Sequence, residues 1–214
     1  MVTIAVIDYE MGNLHSACKG LENVGAEVTI LQHPEHLERF DGLLLPGVGS
    51  FDPAIRSLRK HGFEQPLKAA IARKQPLLGI CLGMQLMFEG STEGQEPGLG
   101  IVPGTVRRFV PEPSITIPHM GWNRLHFTQS DAPLWRNLDE SPWAYFVHSY
   151  YCAPTDSAWT AATVTHGSQT VTAAIAKGSV MATQFHPEKS SEAGLHMLEN
   201  YVRYVAEIKQ PTTV

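Results

Sequence analysis

Three short apolar runs, each cut off by turn residues, restrict the folds open to this sequence more than any other feature. They are Val2–Asp8, Asp41–Leu45 and Pro76–Ile80, and none shows the polar alternation of a half-exposed strand. Strands apolar on both faces belong inside a parallel sheet covered by helices. The segments between them supply those helices. Asn13–Val24 places Leu14, Cys18, Leu21 and Val24 on one helical face, with Gly25 as a stop signal. Glu27–Leu31 is a further strand, Phe51–Arg73 reads as two helical pieces broken around Gly62, and Leu82–Phe88 starts another helix. Sheets of this kind bind ligands at the carboxyl ends of their strands. The turns after Asp8, Leu45 and Ile80 are therefore the places to look.

The second half has a different texture. Ile101–Phe109, Asn123–Phe127, Trp143–Cys152, Thr160–His166, Thr170–Ala176 and Val180–Phe185 read as short strands separated by Gly or Pro turns. They predict antiparallel strands appended to the parallel sheet. Ala193–Ile208 predicts a closing amphipathic helix with Met197, Leu198, Tyr201, Val202 and Val205 inward, and Lys209–Val214 a frayed tail. The 214 residues contain no linker or repeat, so the expectation is one domain over 1–214.

Composition excludes several classes. A net charge of −5 with no basic run argues against nucleic acid or anionic lipid as partner. No apolar run nears the roughly 20 residues needed to cross a bilayer. The first strand starts at Val2 with no basic leader before it, so a cytoplasmic location is expected. Three widely spaced cysteines, Cys18, Cys81 and Cys152, do not resemble a disulfide framework.

Cys81 stands apart from the other two. In Gly79-Ile80-Cys81-Leu82-Gly83 it lies between a buried strand and a helix, flanked two residues away by glycines. That spacing defines a nucleophile elbow, a turn too tight for side chains at the flanking positions. The amides that follow, Leu82's in particular, can donate to an oxyanion beside the sulfur. Cys18 and Cys152 lack this setting and read as ordinary thiols.

A thiol nucleophile needs a base, and the base needs a group to orient it. Among ten histidines, His186 stands where the strand Ala182–Phe185 ends, and Pro187 stiffens the link to Glu188. Side chains two apart at a strand end point to one side, so Glu188 can hold one ring nitrogen while the other faces Cys81. His33-Pro34-Glu35-His36 has two histidines but no further ligand nearby, and reads as surface.

With Cys81, His186 and Glu188 in place, Gly-Ile-Cys-Leu-Gly-Met-Gln (79–85) and Gln-Phe-His-Pro-Glu (184–188) resemble the triad-type glutamine amidotransferases. Within that family, Asp8-Tyr9, Met11–Leu14, Pro46–Gly49, Pro118–Asn123 and Phe146–Tyr150 look like the glutaminase subunits of imidazole glycerol phosphate synthases. The resemblance implies a flavodoxin-like fold and hydrolysis of L-glutamine to glutamate and ammonia without metal or organic cofactor. It further implies that Gln85 and Glu93 contact the substrate, Glu93 at the amino group. Ser149 and Tyr150 would hold the carboxylate through backbone amides. Gly47 and Gly49 would belong to a segment facing the nucleophile whose peptide can flip. Glu10 departs from the small residue, often glycine, that the family carries there. A peptidase or γ-glutamyl hydrolase is the rival enzyme class, and Gln85 and Glu93 weigh against it.

The same resemblance implies a partner. Ammonia would pass by a tunnel to a separate (β/α)8-barrel cyclase subunit, forming a heterodimer active in histidine synthesis. Pro118, Met120 and Trp122 are the candidate docking residues. The competing assignment for Trp122 is a buried core aromatic.

Overall fold

The computed structural model describes residues 1–209. In chain order the elements are β1 (Val2–Ile7), α1 (Leu14–Asn23), β2 (Ala26–Leu31), β3 (Gly42–Leu45), α2 (Phe51–Lys60), α3 (Glu64–Ala72) and β4 (Leu77–Ile80). Then follow α4 (Leu82–Leu86), β5 (Phe88–Ser91), β6 (Val102–Arg108), β7 (His119–Arg124), β8 (His126–Phe127), β9 (Trp143–His148) and β10 (Tyr150–Pro154). The chain finishes with β11 (Thr160–His166), β12 (Gln169–Lys177), β13 (Val180–Thr183) and α5 (Ser191–Lys209).

The main sheet runs β2-β1-β3-β4-β13-β12-β10-β6-β5, with β11 attached to β12 and β8 attached to β11. The segment from β2 to β13 is parallel throughout. The apolar runs occupy its centre because they must be buried on both faces. Ile4 and Val6 of β1 pack with Leu21 of α1 and with Leu198 and Tyr201 of α5. Ala5 and Ile7 pack with Phe51, Ile55 and Leu58 of α2 and with Leu67 of α3 on the other side. Each such aliphatic side chain, removed from water, contributes roughly 1.5–3 kcal/mol before chain entropy is set against it. Tyr201 adds a polar tie: its buried hydroxyl donates toward the carbonyls of Leu43 (2.7 Å) and Pro76 (3.1 Å), pinning α5 to the sheet.

The expected alternation and the mostly parallel, helix-flanked sheet with antiparallel additions are observed. Five details differ. Leu82–Phe88 is not a full helix; α4 stops at Leu86 because Phe88–Ser91 pairs with β6 in a parallel ladder. Trp143–Cys152 is two strands: β9 pairs only with β7 in a two-stranded sheet, and the chain crosses at Ser149 into the main sheet as β10. The strand expected at Asn123–Phe127 begins earlier, at His119, and breaks at Leu125. The last strand, β13, is not an appendage but the fifth member of the parallel core. Lys209, expected to fray, closes α5 with an ion pair to Asp41 at 2.9 Å, while 210–214 lie outside the described residues. No helix among the described residues is long and apolar enough to cross a membrane.

Candidate active site

Strand register builds the site. β13 pairs with β4 so that Thr183 faces Ile80, and the Cys81 N–H donates to the Thr183 carbonyl at 2.7 Å. Whatever follows each strand is therefore delivered side by side: Cys81 after one, Gln184–Glu188 after the other. On the opposite flank Leu45 pairs with Gly79, which brings Pro46–Gly49 beside the same turn.

Cys81 has φ 54° and ψ −111°, a conformation that side chains avoid unless tertiary structure imposes it. The neighbours explain the flanking glycines. A Cβ on Gly83 would collide with the carbonyl oxygen of Leu45, and one on Gly79 would lie 2.7 Å from the Met87 methyl. The elbow sets Cys81 at the sheet's carboxyl edge, on the wall of a cavity, although the residue is only 7% exposed. Cys18 and Cys152 are buried free thiols.

His186 and Glu188 pair as expected, by a different device. The strand ends at Thr183, and His186 caps a 3₁₀ turn, Pro187–Lys189, that carries Glu188. The turn, not strand alternation, brings His186 Nδ1 to 2.7 Å from Glu188 Oε1, with both side chains 3% exposed. His186 is anchored further by its N–H to the Tyr145 carbonyl (3.0 Å) and by Ser190, whose hydroxyl donates to the His186 carbonyl (2.6 Å). Nε2 is buried with no hydrogen-bond partner. Burial opposes charge on this ring, but the adjacent Cys81 sulfur and the Glu188 carboxylate outweigh it and push His186 up to about 9.

Cys81, Leu82, Gln85, Glu93, Ser149, Tyr150 and His186 line one cavity of about 420 Å³, with Gly49 and Pro118 at its wall. Gln85 donates through Nε2 to the Tyr150 carbonyl (3.2 Å) and to Gln184 Oε1 (3.1 Å). Glu93 accepts from the Phe51 N–H at the start of α2 (2.9 Å), which fixes one carboxylate oxygen. Gln184 had no role assigned from sequence, yet its amide lies 3.7 Å from Cys81 Sγ. The available signal was a glutamine closing an otherwise apolar strand.

The Leu82 amide, the expected oxyanion donor, and an amide of the expected Pro46–Gly49 segment are engaged elsewhere. The Leu82 N–H points to the Gly47 carbonyl at 3.3 Å, and the Val48 N–H to the Met11 carbonyl at 2.8 Å. Gly47 does not line the cavity; a Cβ there would strike the Tyr9 hydroxyl, which donates to the Pro46 carbonyl at 2.8 Å. Gly49 has φ +105°, which suits glycine. Glu10 also has positive φ, 66°, which accounts for the glycine expected at that position. Of the docking candidates, Met120 is 61% and Trp122 50% exposed, so Trp122 is not a core aromatic. Among the described residues, no three His, Cys, Asp or Glu side chains are grouped so as to share a metal ion.

A strained cysteine elbow beside a histidine–glutamate pair, at the carboxyl edge of a parallel sheet, is the arrangement of a thiol-dependent amidotransferase, and the family model of class I glutamine amidotransferases matches residues 5–204. The chain belongs to that family. More narrowly, it is 64% identical over 208 residues to the imidazole glycerol phosphate synthase subunit HisH of Microcystis aeruginosa, covering 97% of this chain and 98% of that one. The HisH of Cyanothece sp. is 59% identical over the full length of both. Among solved structures, PurLQS from Thermotoga maritima superposes with a TM-score of 0.75 at 18% identity, covering 95% of this chain and 98% of that one. The glutaminase domain of Trypanosoma brucei CTPS gives 0.70 at 17%, covering 100% and 96%. These two likenesses speak for the fold.

Proposed function

We propose that residues 1–214 form one glutaminase domain, the ammonia-producing subunit of an imidazole glycerol phosphate synthase in histidine synthesis. The observation that carries this is the His186–Glu188 pair at 2.7 Å, sharing one cavity with the elbow cysteine, Gln85 and Glu93. The names of the curated relatives supply the pathway.

In this reading the Cys81 proton rests on His186, and the thiolate attacks the side-chain amide carbon of glutamine. The tetrahedral intermediate collapses as His186 protonates the departing nitrogen, leaving a glutamyl thioester and ammonia. His186 then takes a proton from water, the hydroxide attacks the thioester, and the thiolate is expelled as glutamate leaves, with the proton kept on His186. Glu188 holds the ring so that Nε2 faces sulfur, and supports its cationic form. Glu93 takes the substrate ammonium with its remaining oxygen, and the Ser149–Tyr150 backbone takes the carboxylate.

The occupied Leu82 and Val48 amides make the resting oxyanion hole incomplete. Turning the Gly47–Gly49 peptides releases both, and a barrel cyclase docked on Met120 and Trp122 is the proposed trigger and ammonia acceptor. Glutamate release measured alone, with the cyclase, and with cyclase plus its nucleotide tests this. Equal rates in all three conditions would remove the trigger. Changing Cys81 to Ala should abolish glutamine-driven turnover and spare turnover driven by ammonium salts; loss of both would make Cys81 structural.

A further inference from the structure

The Pro118–Asn123 and Phe146–Tyr150 motifs hold a second set of residues that the scheme above leaves unused. β7 and β9 pair with His119 directly opposite His148, and both rings are buried. His148 Nδ1 lies 2.8 Å from the Tyr150 carbonyl oxygen. A carbonyl only accepts, so Nδ1 carries the proton, and Nε2 of the neutral ring must itself accept. Its neighbour is His119 Nδ1 at 3.2 Å, which therefore carries that ring's proton. His119 Nε2 is left as an acceptor, 3.1 Å from the Asn123 amide nitrogen. The other hydrogen of that amide goes to the Thr165 carbonyl (2.9 Å), and Asn123 Oδ1 accepts from the Arg124 N–H (2.8 Å).

Every proton in the row is thus assigned, and the donors all point one way, from Asn123 to Tyr150. Protonating either ring would set an N–H against another donor. The Tyr150 carbonyl at the far end also receives Gln85, which reaches Gln184 and through it Cys81. The imidazole row and the nucleophile therefore share one network.

The surroundings agree with neutral rings. His166 of β11 stacks on His119 with centroids 4.2 Å apart, and Phe109 packs against both rings of the row. Burial, with His166 beside it, holds His119 down to about 4, and burial chiefly, with the other histidines including His186, holds His148 to about 3.

We infer that His119 and His148 are positioning residues for glutamine hydrolysis: as neutral, Nδ1-protonated imidazoles they orient the Tyr150 carbonyl and with it the Ser149–Tyr150 wall of the cavity. The assignment rests on that cavity being the glutamine site. It gives the Ser149 crossing between the two sheets a fixed backbone orientation, and it keeps a second imidazolium away from His186.

Two measurements test it. Long-range proton–nitrogen NMR of the rings in the wild-type protein at neutral pH should show both Nδ1 atoms protonated and both Nε2 atoms bare. A proton on Nε2 of either ring overturns the assignment, whatever the substrate. In the complex with the cyclase, His148→Phe fills the space without either nitrogen, while His148→Asn keeps a donor near Nδ1. The Phe variant should raise KM for glutamine roughly tenfold, the equivalent of one lost buried hydrogen bond, with a smaller change in kcat. The Asn variant should recover most of that loss. An unchanged KM in the Phe variant, or an Asn variant no better than Phe, overturns the positioning role. Should the Phe variant not fold, the wild-type tautomers decide. Failure of the wild-type complex to release glutamate would sink the glutamine reading instead, with the tautomers unaffected.

Discussion

Glu188→Gln removes one negative charge from a place where water screens little, since both its side chain and that of His186 are 3% exposed. His186 stands at about 9 against an ordinary 6.5. At about 1.36 kcal/mol per pH unit, that difference of about 2.5 corresponds to roughly 3 kcal/mol favouring the charged ring. The sulfur and the carboxylate share it, so the carboxylate's part is about 1–2 kcal/mol. Because the pKa is raised on folding, this stability is complete below 6.5 and vanishes as pH climbs through about 9. Urea unfolding of wild type and variant at pH 6 and pH 10 measures it. The gap between the two proteins should be about 1–2 kcal/mol wider at the lower pH. A gap of the same size at both pH values would refute the argument, because the carboxylate would then not be stabilising an imidazolium. The same variant should lose roughly 10²–10⁴ in kcat for glutamine, the range for losing the orienting member of such a triad.

Three further outcomes follow from packing. Gly83→Ala forces a methyl into the Leu45 carbonyl and should cost at least about 3 kcal/mol, read as a fall in melting temperature or loss of folded protein. Tyr201→Phe removes the hydroxyl that donates to the buried Leu43 carbonyl, with Pro76 as its longer alternative acceptor, and should cost about 1–3 kcal/mol in chemical unfolding without a change in the glutaminase KM. Trp122→Ala, at a half-exposed position, should leave stability within about 0.5 kcal/mol yet weaken cyclase binding by about 2 kcal/mol in calorimetry.

The parallel core was readable because its signal is local: Val2–Ile7, Leu43–Leu45 and Leu77–Ile80 must be buried on both faces and have no amphipathic alternative. The elbow was readable for the same reason, since two glycines and a cysteine at fixed spacing encode one turn. What escaped depends on distant pairing. Phe88–Ser91 leaves the helix because β6, more than ten residues on, offers a ladder. Trp143–Cys152 carries no glycine or proline, so nothing local marks the move from one sheet to the other at Ser149. His186 and Glu188 do lie together, but a 3₁₀ turn supplies the geometry credited to the strand. Gln184 and the His119–His148 row were missed because their meaning lies in neighbours 103 and 29 residues away.

The central claim, that Cys81 carries the acyl group, is tested most directly by trapping it. The protein with the proposed cyclase partner, turning over glutamine and quenched in acid, should yield a Cys81 peptide heavier by one glutamyl group, and Cys81→Ala should yield none. Glutamyl mass on another residue, or steady glutamate release by the Ala variant, would contradict the account.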